Sequence, residues 1–236
     1  MLRKLVILLV LAAFPASMVL ANEEIIFFTD KDDFEQFNLD EGKFLKGVED
    51  FEESTLDPNS IELLDDPLAP GVPNGPFPNG LEGVDNMIVQ SNMLGMNAPE
   101  PNPRGVDGLV TLSAGMFAAN SDVVGPNTFA DSLDLIFDPD DNHTGVGFDV
   151  MEILTGNDVR IAIFDKANKL LAKIDWDAEF EKTFFGVWSK VTIGRINIAA
   201  FEDGGEIVDN VQLWIPEPAS LSLLLVGGLA VIRRRR

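Results

Sequence analysis

From Leu109 to Ile215 the chain repeats one pattern: short runs with an apolar residue at every second position, parted by Gly, Asn, Asp or Pro. Val146, Phe148 and Val150 form one such row, and Val159, Ile161 and Ile163 form the next with Arg160 between them. Leu133, Leu135 and Phe137 alternate against Ser132 and Asp134. Successive side chains of an extended chain point to opposite faces, so a period of two gives a strand with one apolar side. The pattern predicts strands at Leu109–Leu112, Ser132–Phe137, Gly145–Met151, Val159–Ile163, Leu170–Ile174, Thr183–Ser189, Val191–Ile198 and Ile207–Ile215. Many short strands between turn signals specify an all-β, antiparallel sandwich.

Two local details sharpen this reading. Asp165-Lys-Ala-Asn168 has the form of a hairpin connection, with Asn168 suited to a left-handed position. Val191 and Ile193 share a phase, and Ile196 and Ile198 resume it one residue late, so Gly194-Arg195 predicts a β-bulge. Upstream, Glu24–Thr29, Val48–Glu53 and Met87–Gln90 are expected strands. Thr29 precedes Asp32 at capping-box spacing, and Phe34 and Phe37 lie three apart, which predicts one short helix over Asp30–Phe37. The six prolines from Pro58 to Pro78, and Pro99, Pro101 and Pro103, remove ladder donors and predict long surface loops.

The two ends carry signals of another kind. Arg3 and Lys4 precede the apolar Leu5–Phe14 run, and Val19-Leu20-Ala21 offers small residues for cleavage, so residues 1–21 read as a secretory signal peptide. At the other end Pro216-Glu217-Pro218 is followed by an apolar run to Ile232 and by Arg233, Arg234, Arg235 and Arg236. Ala219–Ile232 is 14 residues, about 21 Å as a helix, short against a hydrocarbon core of about 30 Å. The four arginines fix the C-terminus on the cytoplasmic side.

This three-part tail resembles the PEP-CTERM sorting signal of exported proteins of Gram-negative bacteria. The resemblance implies processing by an exosortase, transient anchoring in the inner membrane, and release to the cell surface or the exopolysaccharide matrix of a biofilm. The expected division is a signal peptide at 1–21, a β-sandwich at 22–213 and a sorting signal at 214–236 with its own transmembrane helix. The run ending Ile207-Val-Asp-Asn-Val211 is similar to the last strand of jelly-roll domains in such proteins, which implies a jelly-roll topology.

Charge narrows the partners. The chain has 39 acids and 17 bases; two bases fall in the signal peptide, and four bases and Glu217 fall in the tail. Residues 22–215 therefore hold 38 acids and 11 bases, a net charge of −27. Such a body is repelled by phosphate backbones, which excludes nucleic acid as a partner, and it attracts divalent cations. Cysteine is absent, so thiol catalysis and disulfides are excluded and the core alone must hold the fold.

Candidate chemistry is sparse. His143 is the single histidine; no Gly-x-Ser-x-Gly elbow accompanies it, and it is expected to be a polar turn residue. Asp138, Asp140 and Asn142 are spaced like the start of a calcium loop, although His143 stands where the turn glycine belongs. Asp209 is in phase with Val211 and Leu213, which turns its carboxylate toward the core, where it must be hydrogen-bonded or bind a cation. Jelly-roll carbohydrate modules hold calcium between an early and a last strand, and that analogy names Glu49, Asp50 or Glu52 as partners of Asp209. The competing expectation is that Asp209 caps loop amides near Gly204-Gly205. Trp176, flanked by Asp175 and Asp177, is the candidate glycan contact. The expected function is a non-enzymatic structural or adhesive component of the cell surface, a weak glycan binder with calcium as its cation. The alternative is a polysaccharide hydrolase using two carboxylates.

Overall fold

The computed structural model describes residues 24–93, 108–117, 119–127, 131–154, 158–178, 180–201 and 204–217. The signal peptide, Pro99, Pro101 and Pro103, and the tail from Pro218 through the arginine cluster lie outside the described residues. In chain order the elements are β1 (Ile25–Phe28), α1 (Lys31–Asp40), β2 (Lys43–Glu49), β3 (Ile61–Leu64), β4 (Met87–Asn92), β5 (Leu109–Leu112), β6 (Val123–Pro126), β7 (Ser132–Phe137), β8 (Gly145–Glu152), β9 (Val159–Asp165), β10 (Leu170–Trp176), β11 (Thr183–Ser189), β12 (Ile193–Ala200) and β13 (Glu206–Pro216).

The strands form two antiparallel sheets, an all-β sandwich. The larger runs β1-β11-β8-β13-β6-β5-β3, with β2 also paired to β13; the smaller runs β10-β9-β12-β7-β4. From β6 onward, successive strands pass to the opposite sheet, except at the β9–β10 hairpin. The inward rows predicted from period two meet between the sheets: Val146, Phe148 and Val150 from β8, Ile161 and Ile163 from β9, Phe185 and Val187 from β11, and Ile196 and Ile198 from β12 are all buried in one core. Each such side chain contributes about 1.5–3 kcal/mol on burial.

The predicted bulge is present, since the β12–β9 register shifts between Ile193 and Arg195. Asn168 closes the β9–β10 hairpin at φ 58°. The helix begins one residue later than the capping-box reading places it: Asp30, not Thr29, is the cap, and its Oδ1 accepts the Asp33 amide at 3.0 Å. Phe34 from α1 lies against the outside of the large sheet, over Gly147 and Gly186. A Cβ on Gly147 would sit 2.7 Å from the Phe34 ring, so a residue without a side chain is what lets the helix pack there.

Three expectations need correction. The Pro58–Pro78 stretch is not only surface loop: it contains edge strand β3, and Leu64, Leu68 and Phe77 are in the core. Strand β6 was not expected, because Val-Val-Gly-Pro is too short to show a period. The sandwich also does not stop at residue 213. Strand β13 runs on through Trp214, Ile215 and Pro216, paired with Leu45, Phe44 and Lys43 of β2, and Trp214 is buried. Pro216 is therefore the last residue of the strand, and the Glu217 amide still bonds to Gly42 O at 3.2 Å.

Candidate functional site

The end of β2 is the strongest candidate for a metal. Glu49 lies directly opposite Val211 of β13 and shares its inward face, so it is fully buried. The chain then turns sharply, with Phe51 at φ 58° driven into the core. The turn folds Asp50 and Glu53 back onto Glu49, and carboxylate oxygens of all three lie within 4.8 Å of one another. Glu49 accepts the Phe51 amide at 3.1 Å and the Gly83 amide at 3.0 Å. Gly83 is required for that approach, since a Cβ there would stand 2.0 Å from Val48 O. Glu53 accepts the Glu82 amide at 3.2 Å.

The Glu49 carboxyl is pushed up to about 8, first by burial and then by the charge of Glu53 and a hydrogen bond with it; the two backbone amides oppose the shift. Like charges this close hold a proton between them unless a cation replaces it. The oxygen-only donor set suits a hard cation such as calcium, which accepts irregular coordination, and the exposed Asp50 leaves one side open to water and entry.

Of the residues named from sequence, Glu49 and Asp50 join this group, whereas Glu52 turns away and accepts the Asp122 amide at 3.1 Å. Glu53 was missed, because only the left-handed Phe51 brings it back. Asp209 is not a partner. A bulge displaces the β13–β8 register between Asp209 and Gln212, with Asn210 at φ 51°. The phase flips there: Val208, Val211 and Leu213 face the core, and Asp209 faces outward beneath a loop. It remains buried and accepts hydrogen bonds from Lys182 Nζ and Ser121 Oγ. The Gly205 amide is capped by Glu152 at 2.8 Å instead.

In the Asp138–Asn142 loop, side-chain oxygens of Asp138 and Asn142 are engaged by protein donors. Asp138 accepts the Asp140 amide at 2.8 Å, and Asn142 Oδ1 accepts from Thr192 Oγ1 at 3.4 Å. His143 directly follows the turn at Asp138–Asp141 and is 0% exposed, beside the Phe137 ring. Burial lowers its pKa to about 4, with Asp141, 3.7 Å away, opposing. Burial raises the Asp141 carboxyl, but hydrogen bonds from Lys46 and Asn86 outweigh that and hold it below the usual range.

Trp176 is likewise not an exposed platform. It is 8% exposed and meets Phe185 edge-on at 4.9 Å. Its acidic neighbours point outward because the strand alternates, and that same alternation points Trp176 inward. It still forms part of the wall of a cleft of about 500 Å³ with Thr29, Asp177, Lys182, Thr183 and Phe184.

The outer face of the small sheet carries a polar network that composition does not announce. Asp134 accepts from Arg195 at 2.9 Å, Asn197 at 2.7 Å and Asn92 at 2.7 Å. It joins β4, β7 and β12 across their faces. Burial raises the Asp134 carboxyl while Arg195 and the amides pull it back.

No protein-family model matches the chain, and no curated protein does. Among solved structures, the chain is similar to the enzymatically active domain of tailspike protein 4 of bacteriophage CBA120. The identity is 15% and the TM-score 0.24, and the match covers 56% of this chain and 18% of that one. Among the described residues no helix is long and apolar enough to cross a membrane.

Proposed function

We propose that the protein is an exported, non-enzymatic jelly-roll module of the cell surface or extracellular matrix, whose fold is clamped by a divalent cation at Glu49, Asp50 and Glu53. The observation that carries this reading is the convergence of three carboxylates where the chain leaves β2 and turns back under the 82–83 segment. A cation there ties that segment to the strand that flanks β13. The jelly-roll reading rests on the strand orders β6-β13-β8-β11 and β7-β12-β9-β10 in the two sheets. Export and exosortase processing rest on the Pro216-Glu217-Pro218 tail and its arginines. The net negative body favours cation-bridged attachment to acidic exopolysaccharide over any direct ionic contact with it.

The test is to unfold the protein thermally with calcium and with chelator, and to screen it against a glycan panel in both conditions. Calcium-dependent stabilisation lost in Glu49→Gln supports the clamp. Equal stability in both conditions sinks it. Intact mass of protein recovered outside the native host tests the sorting claim, which fails if the apolar tail and Arg233–Arg236 are retained.

A further inference from the structure

Lys182 stands immediately before β11 and Asp209 lies within β13, and β8 runs between those two strands in the sheet. Phe148 and Val150 of β8 face the core, so Asp149 and its direct ladder partner Asp209 lie on the outer face. The Lys182 side chain reaches over β8, and its Nζ bonds to Asp209 Oδ2. The pair is covered: the Asp209 side chain is 1% exposed and that of Lys182 18%.

Both oxygens of the Asp209 carboxylate have placed donors. Oδ1 accepts the backbone amide of Asn210 at 2.7 Å. Asn210 is itself held, in the left-handed bulge at φ 51° and by its side chain, which donates to Asp149 at 2.9 Å. Oδ2 accepts from Lys182 Nζ and from Ser121 Oγ, and Lys182 Nζ also donates to Ser121 Oγ. The Ser121 hydroxyl therefore bridges the amine nitrogen and one carboxyl oxygen. An ion pair needs none of this. Here a nucleophile touches an acyl group, one acyl oxygen faces a fixed N–H, and the other faces a hydroxyl that can hand it protons.

We propose that Lys182 and Asp209 condense in the folded protein to an isopeptide bond, with Ser121 as the proton relay and the Asn210 amide as the oxyanion donor. One ammonium proton passes through Ser121 Oγ to Asp209 Oδ2, which leaves a neutral amine against a carboxylic acid. The Nζ lone pair then attacks Cγ, the C–N bond forms, and Oδ1 takes the negative charge beside the Asn210 amide. A second proton follows the same relay to Oδ2. The C–Oδ2 bond breaks, its electron pair leaves with the oxygen as water, and the third proton stays on the amide nitrogen. No oxidant or further reactant is needed.

The fold supplies what this reaction lacks in water. Groups held in contact react as though at about 10⁵–10⁸ M. The product replaces two charges that are costly to keep from water with a neutral amide. The link straps β8 and closes residues 182–209 into a ring, in a chain that has no cysteine for a disulfide. It does not depend on a cation at Glu49.

The test is peptide mapping by mass spectrometry on the folded full chain, with Lys182→Arg and Ser121→Ala beside it. Wild type should give a branched peptide joining the Lys182 and Asp209 segments, lighter than their sum by one water, with no tryptic cut after Lys182. Lys182→Arg keeps the positive charge and should give two separate peptides. Followed from cell-free synthesis onward, Ser121→Ala should form the link about a hundredfold more slowly; an unchanged rate would remove Ser121 from the reaction. Separate, unmodified peptides from folded wild type would overturn the proposal and leave a simple ion pair, and that readout requires no variant to fold.

Discussion

Lys182 Nζ donates to Asp209 Oδ2 one residue before the chain enters the left-handed bulge at Asn210. The Asn210 side chain donates in turn to Asp149 at 2.9 Å on β8. The Asp149 carboxyl is raised, chiefly by burial, with the Asp209 charge adding to it and the Asn210 bond opposing. Lys182 is thus the cation bonded to Asp209 in an acidic group that pins the bulge. Replacing Lys182 by Met leaves Asp209 buried without its counter-charge, and the expected cost is about 3 kcal/mol. Lys182→Met with Asp209→Asn should recover part of that loss. Urea unfolding of the two variants checks both statements; equal stabilities would count against the ion pair.

Without a cation, the Glu49–Glu53 pair makes stability fall with rising pH. The folded carboxyl titrates near 8 and its unfolded counterpart near 4.5. The folded state therefore holds the proton more tightly, and that stabilisation is present below pH 4.5 and lost as pH rises through 8. Calcium should remove the loss by taking the proton's place. Urea midpoints across this range, with chelator and with calcium, measure it; Glu49→Gln should flatten the chelator series.

His143 acts in the opposite direction. Its folded pKa near 4 lies below the ordinary 6.5, so the unfolded chain binds the proton more tightly. Stability is full above pH 6.5 and falls as pH drops toward 4, by about 3 kcal/mol in all. His143→Phe, beside Phe137, should abolish the acid slope. A retained slope would place its origin in another group.

Trp176 fills core volume rather than presenting a free ring. Trp176→Ala should cost about 3–5 kcal/mol, and Trp176→Phe much less. Glycan binding that is lost in Trp176→Phe with stability intact would return this residue to a contact role in the cleft it borders.

Strands β8 and β9 were legible in the sequence because their apolar rows alternate and nothing but period two is needed to place them. The Gly194-Arg195 bulge was legible because apolar residues flank it on both sides and report the slip. The Asn210 bulge was not, since Ile207 and Val208 are both apolar and conceal which of them faces inward. An asparagine that tolerates positive φ was the signal available there. Glu49 and Asp50 could be named as acids of an early strand expected at Val48–Glu53, but that strand ends at Glu49, and the approach of Glu53 depends on how Phe51 turns. The Lys182–Asp209 contact was invisible, because it reaches over β8 between strands that are not neighbours in the sheet.

Strand β13 lies within its sheet, with β8 along one side and β6 and β2 along the other, and its pairing continues to Pro216. A load applied to the chain at Glu217 would therefore act on two ladders in shear, whose hydrogen bonds must yield together rather than one by one. Edge strand β1, with β11 as its single neighbour, would peel under a similar pull. Pulled from its C-terminal end, the sandwich would resist through its best-braced strand.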